Sequence, residues 1–368
     1  MNRPDLNQLD PAIRAYIEHL EAEVQRLSAP QHLSAPHPRR AAAPKTRPTP
    51  IPEVEEEEVL PQTSETAEPP TTLSLISATA DGLAKRTLRH LYNRQRRGGM
   101  GVFDIETPKD NHPTLLAQAD QGQNLIVLTN LARAFRMPLD AIPETPIRAR
   151  GESFAGRLNL AENEQIALIL PDQVQGYVAL LSQSGMVRML RHHFFGEYMK
   201  PGTALYDYRT FGPLASACWT GGNGDLFLAT RAGKAIRFAE KAVPPQGGPG
   251  IRLSAGDRAI AITGVSEFSG VFMVSADGRG TIRNMSTFLA NKAPGASGKI
   301  AMATDSLVAA VNVLPGDDLV ILSHQSKIIR FSADDVPVKD GVVQGVNCMA
   351  LRADEAVAVL VCLPYDRM

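Results

Sequence analysis

A pattern that recurs about every fifty residues constrains the fold of this chain more than any other feature. From about residue 71 onward, six segments each contain an apolar strand, a Ser, Thr or small residue, a turn, and a second strand with a basic residue. They read LISATADGLAKRT, IVLTNLARAFRMP, ALLSQSGMVRMLR, FLATRAGKAIRFA, FMVSADGRGTIRN and VILSHQSKIIRFS. A period of this length with about four strands per unit is typical of propeller blades. The sequence therefore predicts an all-β, six-bladed β-propeller over residues 71–368.

Aligning the six segments places a basic residue of five of them in a single column: Arg86, Arg136, Arg237, Arg283 and Arg330. In the third segment Met189 occupies the column, with Arg188 beside it. In a ring of blades, such a column would set about one cation per blade along a curved outer track. The alternative is that each basic residue lies on the solvated face of an amphipathic strand.

The first 28 residues have the pattern of a short amphipathic helix. Asp10 is a suitable N-cap and Pro11 suits the first helical position. Behind them, apolar residues recur at steps of four and three: Ile13, Ile17, Leu20, Val24 and Leu27. This stripe is shorter than three heptads. It predicts either a short coiled coil, with self-association through residues 11–27, or docking on the chain's own body or on a partner.

Residues 29–70 differ in composition from the segments on either side. Ten prolines fall within residues 28–70, together with an acidic run over residues 55–58. Such a segment buries too little apolar surface to offset its ordering entropy, so we predict a disordered linker. Residues 1–70 contain 7 basic and 12 acidic side chains, whereas residues 71–368 contain 31 and 27. The body is therefore mildly basic, although the whole chain has a formal net charge of −1.

Several functional classes find no support in the sequence. Three cysteines in 368 residues make no disulfide framework, which favours a cytoplasmic location. The sequence contains no run of 18 apolar residues, so no membrane span is predicted. The sequence has no phosphate-binding loop, no HExxH pair and no Cys/His zinc spacing, so we expect no cofactor, no metal and no catalytic residue. The adjacent His192 and His193 would point to opposite faces of a strand and could not share a metal.

The first repeat is followed by Gln95-Arg96-Arg97-Gly98-Gly99-Met100-Gly101 and an apolar strand. This segment resembles the gyrase A box, the signature of the DNA-wrapping C-terminal domain of the bacterial DNA gyrase A and topoisomerase IV A subunit family. The stretches Arg150-Gly151, Gly156-Arg157 and Glu164–Pro171 are similar to the second blade of that domain, and the resemblance extends over about residues 71–364. It implies a β-pinwheel, a propeller variant that wraps duplex DNA.

The residues of the box suit phosphate binding on physical grounds also. Arg96 and Arg97 offer planar, permanently charged forks to phosphate oxygens. Gly98, Gly99 and Gly101 would let the backbone approach an anion closely. The alternative is a basic surface loop whose glycines only form turns. Met100 stands where the family has a basic residue, so one phosphate partner is missing. With the column, the expected DNA-binding set is Gln95, Arg96, Arg97, Gly98, Gly99, Gly101, Lys85, Arg86, Arg136, Arg188, Arg237, Arg283 and Arg330.

The resemblance implies non-specific binding and wrapping of duplex DNA by a stand-alone, nucleoid-associated propeller. The 70 residues before the propeller are too few for the breakage–reunion core of the family, so we expect no DNA cleavage and no ATP hydrolysis. Two alternatives remain open. One is a protein-interaction propeller that has lost wrapping, and the other is an accessory subunit of a split type II topoisomerase.

Overall fold

A computed structural model describes residues 68–362. The predicted helix of residues 1–28, and nearly all of the predicted linker, lie outside the described residues. Each of the six repeats forms an antiparallel hairpin, numbered here as blades 1 to 6. The hairpins are Ser74–Thr79 with Leu83–Leu88, Asn124–Thr129 with Arg133–Pro138, Tyr177–Ser182 with Met186–Arg191, Asp225–Thr230 with Lys234–Ala239, Gly270–Ser275 with Arg279–Asn284, and Asp318–Ser323 with Lys327–Ser332.

A buried hydroxyl at the end of the first strand helps to form the hairpin turn in every blade except blade 4, where the Thr230 hydroxyl has no partner among the described residues. The hydroxyl oxygens of Thr79 and Thr129 accept hydrogen bonds from the backbone N–H four residues later, at 3.1 and 3.2 Å. Gly82 follows three residues after Thr79 with φ +90°, a conformation that glycine adopts without strain. Ala132 takes the same place in blade 2 with φ 56°. The turn geometry is therefore kept even where glycine is absent.

Each hairpin is flanked by an inner strand towards the centre and a short outer strand at the edge. The inner strands are Pro113–Ala119, Ile166–Pro171, Leu214–Thr220, Ala259–Val265, Leu307–Val313 and Ala356–Cys362. Neighbouring inner strands contact each other around the whole circle, and the last one contacts the first. They surround a channel of about 700 Å³ that is lined mainly by apolar side chains. The predicted six-bladed propeller is confirmed.

The outer strand of each blade is supplied by the connection that follows the hairpin of the next blade. In the order of blades 1 to 6, these strands are Glu152–Ser153, Thr203–Ala204, Gly248–Pro249, Lys299–Ile300, Val338–Lys339 with Val346–Asn347, and Val102–Phe103. Two further short strands, Ile105–Glu106 and Ala149–Arg150, pair in parallel. Because blade 6 receives its outer strand from the connection of blade 1, this exchange closes the ring.

Helical structure in the described residues is limited to short turns. One four-residue α-helix spans Tyr208–Phe211. The 3₁₀ turns are Arg89–Leu91, Leu139–Ala141, Ala155–Arg157, His192–Phe195, Glu240–Ala242 and Ala333–Asp335. His192 and His193 thus lie in a 3₁₀ turn, where the sequence pattern suggested a strand.

Candidate nucleic-acid interface

The box lies against blade 6 and holds the ring closed. The Gly98 N–H donates to the Cys348 carbonyl at 2.9 Å, and the Ala350 N–H donates to the Gly99 carbonyl at 2.9 Å. Gly101 has φ +72°, and a Cβ atom there would lie 2.6 Å from the Ile328 carbonyl oxygen. The glycines therefore allow close packing against blade 6. The Gly98 N–H is already hydrogen-bonded within the protein and is therefore not available to an anion that approaches the backbone here.

The two arginines of the box have different surroundings. Arg97 donates from Nε to the Asp335 carbonyl at 2.9 Å and from Nη1 to the Asn347 carbonyl at 2.5 Å. Arg96 is exposed and makes no ion pair or side-chain hydrogen bond within residues 68–362. Arg97 therefore fastens the box to the protein, while Arg96 presents a free guanidinium group to solvent. Met100, with 57% exposure, lies on the same surface loop.

Gln95 also contributes to the ring closure. Its backbone N–H donates to the Arg330 carbonyl at 2.7 Å. Its side-chain oxygen lies against Gly99, where a Cβ atom would be 3.3 Å away. Gln95 thus shapes the box from within.

The predicted outer track of arginines is not exposed. Arg237 is 4% exposed and pairs with Asp225 at 2.8 Å, and Arg330 is 6% exposed and pairs with Asp318 at 2.7 Å. Arg136 pairs with Asp172 at 2.9 Å. Blades 4 and 6 therefore lack the expected solvent-facing cation, because Arg237 and Arg330 are buried against carboxylates. Arg86 and Arg136 are half-buried and are also paired with carboxylates.

These arginines also hold the exchanged connections. Arg86 pairs with Asp140 and Glu144 and donates from Nε to the Ile142 carbonyl at 2.9 Å. Arg237 donates from Nη1 to the Met285 carbonyl at 2.6 Å. In both cases the carbonyl belongs to the connection that crosses from the next blade. In these two blades the column arginine therefore fixes the incoming connection to the hairpin that receives it.

Two members of the predicted set are out of register with the column. The column position lies seven residues after the turn hydroxyl, as in Thr79 and Arg86. In blade 5, the seventh residue after Ser275 is Ile282, so Arg283 lies on the opposite face of the strand. Arg188 is displaced in the same way by Met189 in blade 3. The Nε atoms of both displaced arginines are buried without a hydrogen-bond partner.

Lys85 is fully buried and does not face a ligand. Its Nζ lies 2.7 Å from Asp104 Oδ1 and donates to the Pro146 carbonyl at 2.9 Å. Asp104 also accepts hydrogen bonds from the hydroxyls of Ser77 and Tyr92, each at 2.6 Å. Burial lowers the pKa of Lys85, and the Asp104 charge opposes that change. The prediction that Lys85 contacts DNA is wrong, because its ammonium group is enclosed by the protein.

Sequence reasoning missed that the box is one of six equivalent connections. A glycine stands directly before an outer strand of every blade: Gly101, Gly151, Gly202, Gly247, Gly298 and Gly345. It also missed exposed cations in or beside these connections, which include Arg148, Arg150, Arg157, Lys200, Arg252, Lys292 and Lys339. We call the surface formed by the outer strands and these connections the outer edge. Aligning the connections, in addition to the hairpins, would have revealed it.

Other groups in the described residues do not suggest catalysis. Cys218, Cys348 and Cys362 are free, and burial raises the pKa of each thiol to about 12. Burial also raises the pKa of Tyr92 and Tyr206. Within residues 68–362, no group of three or more His, Cys, Asp or Glu side chains could hold a metal ion. No helix in this part of the chain is long and apolar enough to cross a membrane.

Comparison with known proteins agrees with this architecture. A family model described as the DNA gyrase C-terminal domain, a β-propeller, matches residues 74–112, 123–171, 224–266 and 317–362. The chain is 23% identical to the DNA gyrase A protein of Staphylococcus epidermidis over 291 residues, covering 75% of this chain and 33% of that protein. It is 26% identical to the DNA gyrase A protein of Lawsonia intracellularis over 291 residues, covering 75% and 36%. The chain thus spans about a third of the length of these relatives.

Solved structures show the same fold. The DNA gyrase A C-terminal domain aligns with a TM-score of 0.68 at 21% identity, covering 79% of this chain and 100% of that one. The C-terminal domain of DNA topoisomerase IV aligns with a TM-score of 0.57 at 18% identity, covering 79% and 93%. The described residues therefore share the six-bladed propeller fold of these two domains. More specifically, the family model and the relatives identify a gyrase A C-terminal-like domain in this chain.

Proposed function

We propose that this propeller binds duplex DNA with weak sequence preference and bends or wraps it along the outer edge. The proposal depends mainly on the exposed, unpaired side chain of Arg96. Its guanidinium group is exposed and unpaired among residues 68–362, on a loop whose backbone is fixed to blade 6. A cation held in place without an internal partner suits a phosphate oxygen.

The exposed cations of the outer edge support bending. Smoothly bending a short duplex by a large angle costs on the order of several kcal/mol, which many phosphate contacts must offset. Exposed Arg150 and Lys200 lie in the connections of blades 2 and 3, so cations are available beyond the box. Contacts of this kind carry no sequence code, and the binding should be largely non-specific.

We further propose that the protein changes DNA topology without cutting DNA, as an architectural protein of the nucleoid or as an accessory to a type II topoisomerase. The predicted self-association through residues 11–27 lies outside the described residues and stays a prediction.

The binding of a plasmid-length duplex at several salt concentrations tests the proposal. Arg96→Ala should weaken binding and make the slope of log K against log salt less steep by about 0.9, the value for one lost phosphate contact. Arg258→Ala is the matched control, because Arg258 is exposed but precedes an inner strand. An Arg96→Ala variant that folds normally and binds with the wild-type slope would remove the box from the interface.

A protein-binding propeller is the second candidate. Phe268 is 91% exposed and, with Val338, lines a groove of about 360 Å³ between blades 5 and 6. Apolar side chains exposed in a groove are typical of protein interaction sites. This candidate predicts that Phe268→Ser abolishes co-purification of a partner while any DNA affinity is unchanged.

A further inference from the structure

Three cations lie near one another where the connection leaves blade 5, and two of them contact one buried aromatic ring. This connection crosses to blade 4 and ends in the outer strand Lys299–Ile300. Phe288 of this connection is 1% exposed. The Lys299 ammonium lies 4.0 Å from the centroid of the Phe288 ring, and Cζ of Arg283 lies 5.7 Å from the same point. The ring therefore holds two cationic groups at a fixed separation.

The third cation is Lys292, which is exposed on the same connection. Its Nζ donates to the Ser297 carbonyl at 2.7 Å, so the side chain folds back towards the outer strand. Burial lowers the pKa of Lys299, and the charges of Arg283 and Lys292 lower it further. The three positive charges thus repel one another. At physiological salt, such repulsion is largely screened only beyond roughly 10 Å.

Arg283 differs from the arginines of the column in having no acidic partner. It is 7% exposed, its Nη1 donates to the Gly341 carbonyl, and its Nε has no hydrogen-bond partner. Arg86, Arg136, Arg237 and Arg330 each form an ion pair with a carboxylate. Asp340 acts on Arg283 only through its field, and its Oδ1 accepts a hydrogen bond from the Thr287 hydroxyl at 3.0 Å. A buried cation without an acidic partner destabilises the fold. Such a group therefore suggests a ligand that supplies the missing negative charge.

We propose that Arg283, Lys292 and Lys299 form a phosphate-binding site on the outer edge between blades 4 and 5, and that its ligand is the backbone of duplex DNA. Duplex DNA carries one negative charge per ~1.7 Å of its axis, so a single segment can neutralise several clustered cations. The assignment to DNA, as opposed to free phosphate, rests on the proposed function.

The double variant Lys292→Gln with Lys299→Gln, made in the full chain, tests this site. Arg258→Gln is the matched control, since Arg258 is an exposed cation directly before an inner strand and does not belong to the cluster. Two measurements are made on each protein: the slope of log K against log salt for a plasmid-length duplex, and the shift of the unfolding midpoint by inorganic phosphate. Arg283→Gln is added only if it unfolds cooperatively, because Arg283 is buried.

The expected result is a slope less steep by about 1 for each lysine lost, with equal weakening on unrelated sequences, while the control keeps the wild-type slope. If the double variant binds duplex with the wild-type slope, the site is overturned and the proposed function stands. If the wild type binds no duplex but inorganic phosphate stabilises it, and the double variant loses that stabilisation, the phosphate site stands and the proposed function fails. If the wild type responds to neither ligand, both are overturned.

Discussion

The ammonium group of Lys85 lies 2.7 Å from the carboxylate of Asp104, and both side chains are fully buried. Lys85 belongs to the blade 1 hairpin, whereas the Asp104 N–H donates to the Ser326 carbonyl of blade 6 at 2.7 Å. Asp104 therefore joins the first blade to the last. The box that resembles a DNA-binding signature is, in part, the element that closes the ring.

Asp104→Asn should lower the free energy of unfolding by about 3 kcal/mol. The substitution leaves the Lys85 ammonium buried without a counter-charge, and breaking a buried ion pair from one side is strongly destabilising. Denaturant unfolding provides the measurement. Asp110→Asn is the control, since Asp110 is exposed and its substitution should change stability by less than about 0.5 kcal/mol. Equal stability of the two variants would contradict this account of ring closure.

Gly101→Ala should lower the free energy of unfolding by about 2 kcal/mol or more. Its positive φ strains any other residue, and the added methyl group would meet the Ile328 carbonyl oxygen at 2.6 Å. Gly156→Ala provides the comparison, because a Cβ atom there meets nothing within 4 Å. Thermal unfolding of the two variants should therefore give a large shift for the first and a negligible one for the second. Similar shifts would show that Gly101 is not constrained by blade 6.

Glu68 should make the stability of the propeller depend on acid pH. Burial alone would raise the pKa of this carboxyl, but hydrogen bonds from Arg89 and Arg330 and their charges hold it below its usual value of 4.5. A depressed carboxyl pKa contributes stability that is complete above 4.5 and is lost as pH falls through the lower folded-state value. Wild type should thus exceed Glu68→Gln in stability at pH 7, and the difference should shrink below pH 4.5. A difference that does not vary with pH would contradict the assignment.

Arg237→Gln should weaken the fold and leave the salt dependence of DNA binding unchanged. The substitution removes the ion pair with Asp225 and charged hydrogen bonds to the Met285 and Phe288 carbonyls, at a cost of about 2 kcal/mol or more. Stability and the slope of log K against log salt are measured on the same preparation. A less steep slope with unchanged stability would restore the column to the DNA interface.

The sequence predicted the hairpins and their number because hairpin turns depend on neighbouring residues. Thr79 and Gly82 act within one turn, so the repeat could be recognised from local chemistry alone. The burial of the column arginines could not be predicted in this way. Whether Arg237 faces solvent depends on Asp225 in the paired strand and on the Met285 carbonyl in the next repeat. Those partners meet only after the exchange of connections between blades.

The box also combines features that could be predicted from the sequence with features that could not. Its arginine and glycine content indicated an anion site, and Arg96 remains available for that role. That Arg97 would donate to the Asn347 carbonyl could not be inferred, because 250 residues separate the two along the chain. The out-of-register position of Arg283, by contrast, could have been read from the sequence. Arg283 is the eighth residue after Ser275, whereas Arg86 is the seventh after Thr79, and a shift of one residue moves a side chain to the other face of its strand.

Plasmid topology tests the central claim most directly. Relaxed plasmid is incubated with the full chain and a separate relaxing topoisomerase, then deproteinised and resolved on a gel. A duplex held on a curved path stores writhe, which the relaxing enzyme converts into a change of linking number, so topoisomers should shift in proportion to the protein added. An unshifted ladder, under conditions where a gel shift shows the plasmid to be bound, would contradict wrapping by this propeller.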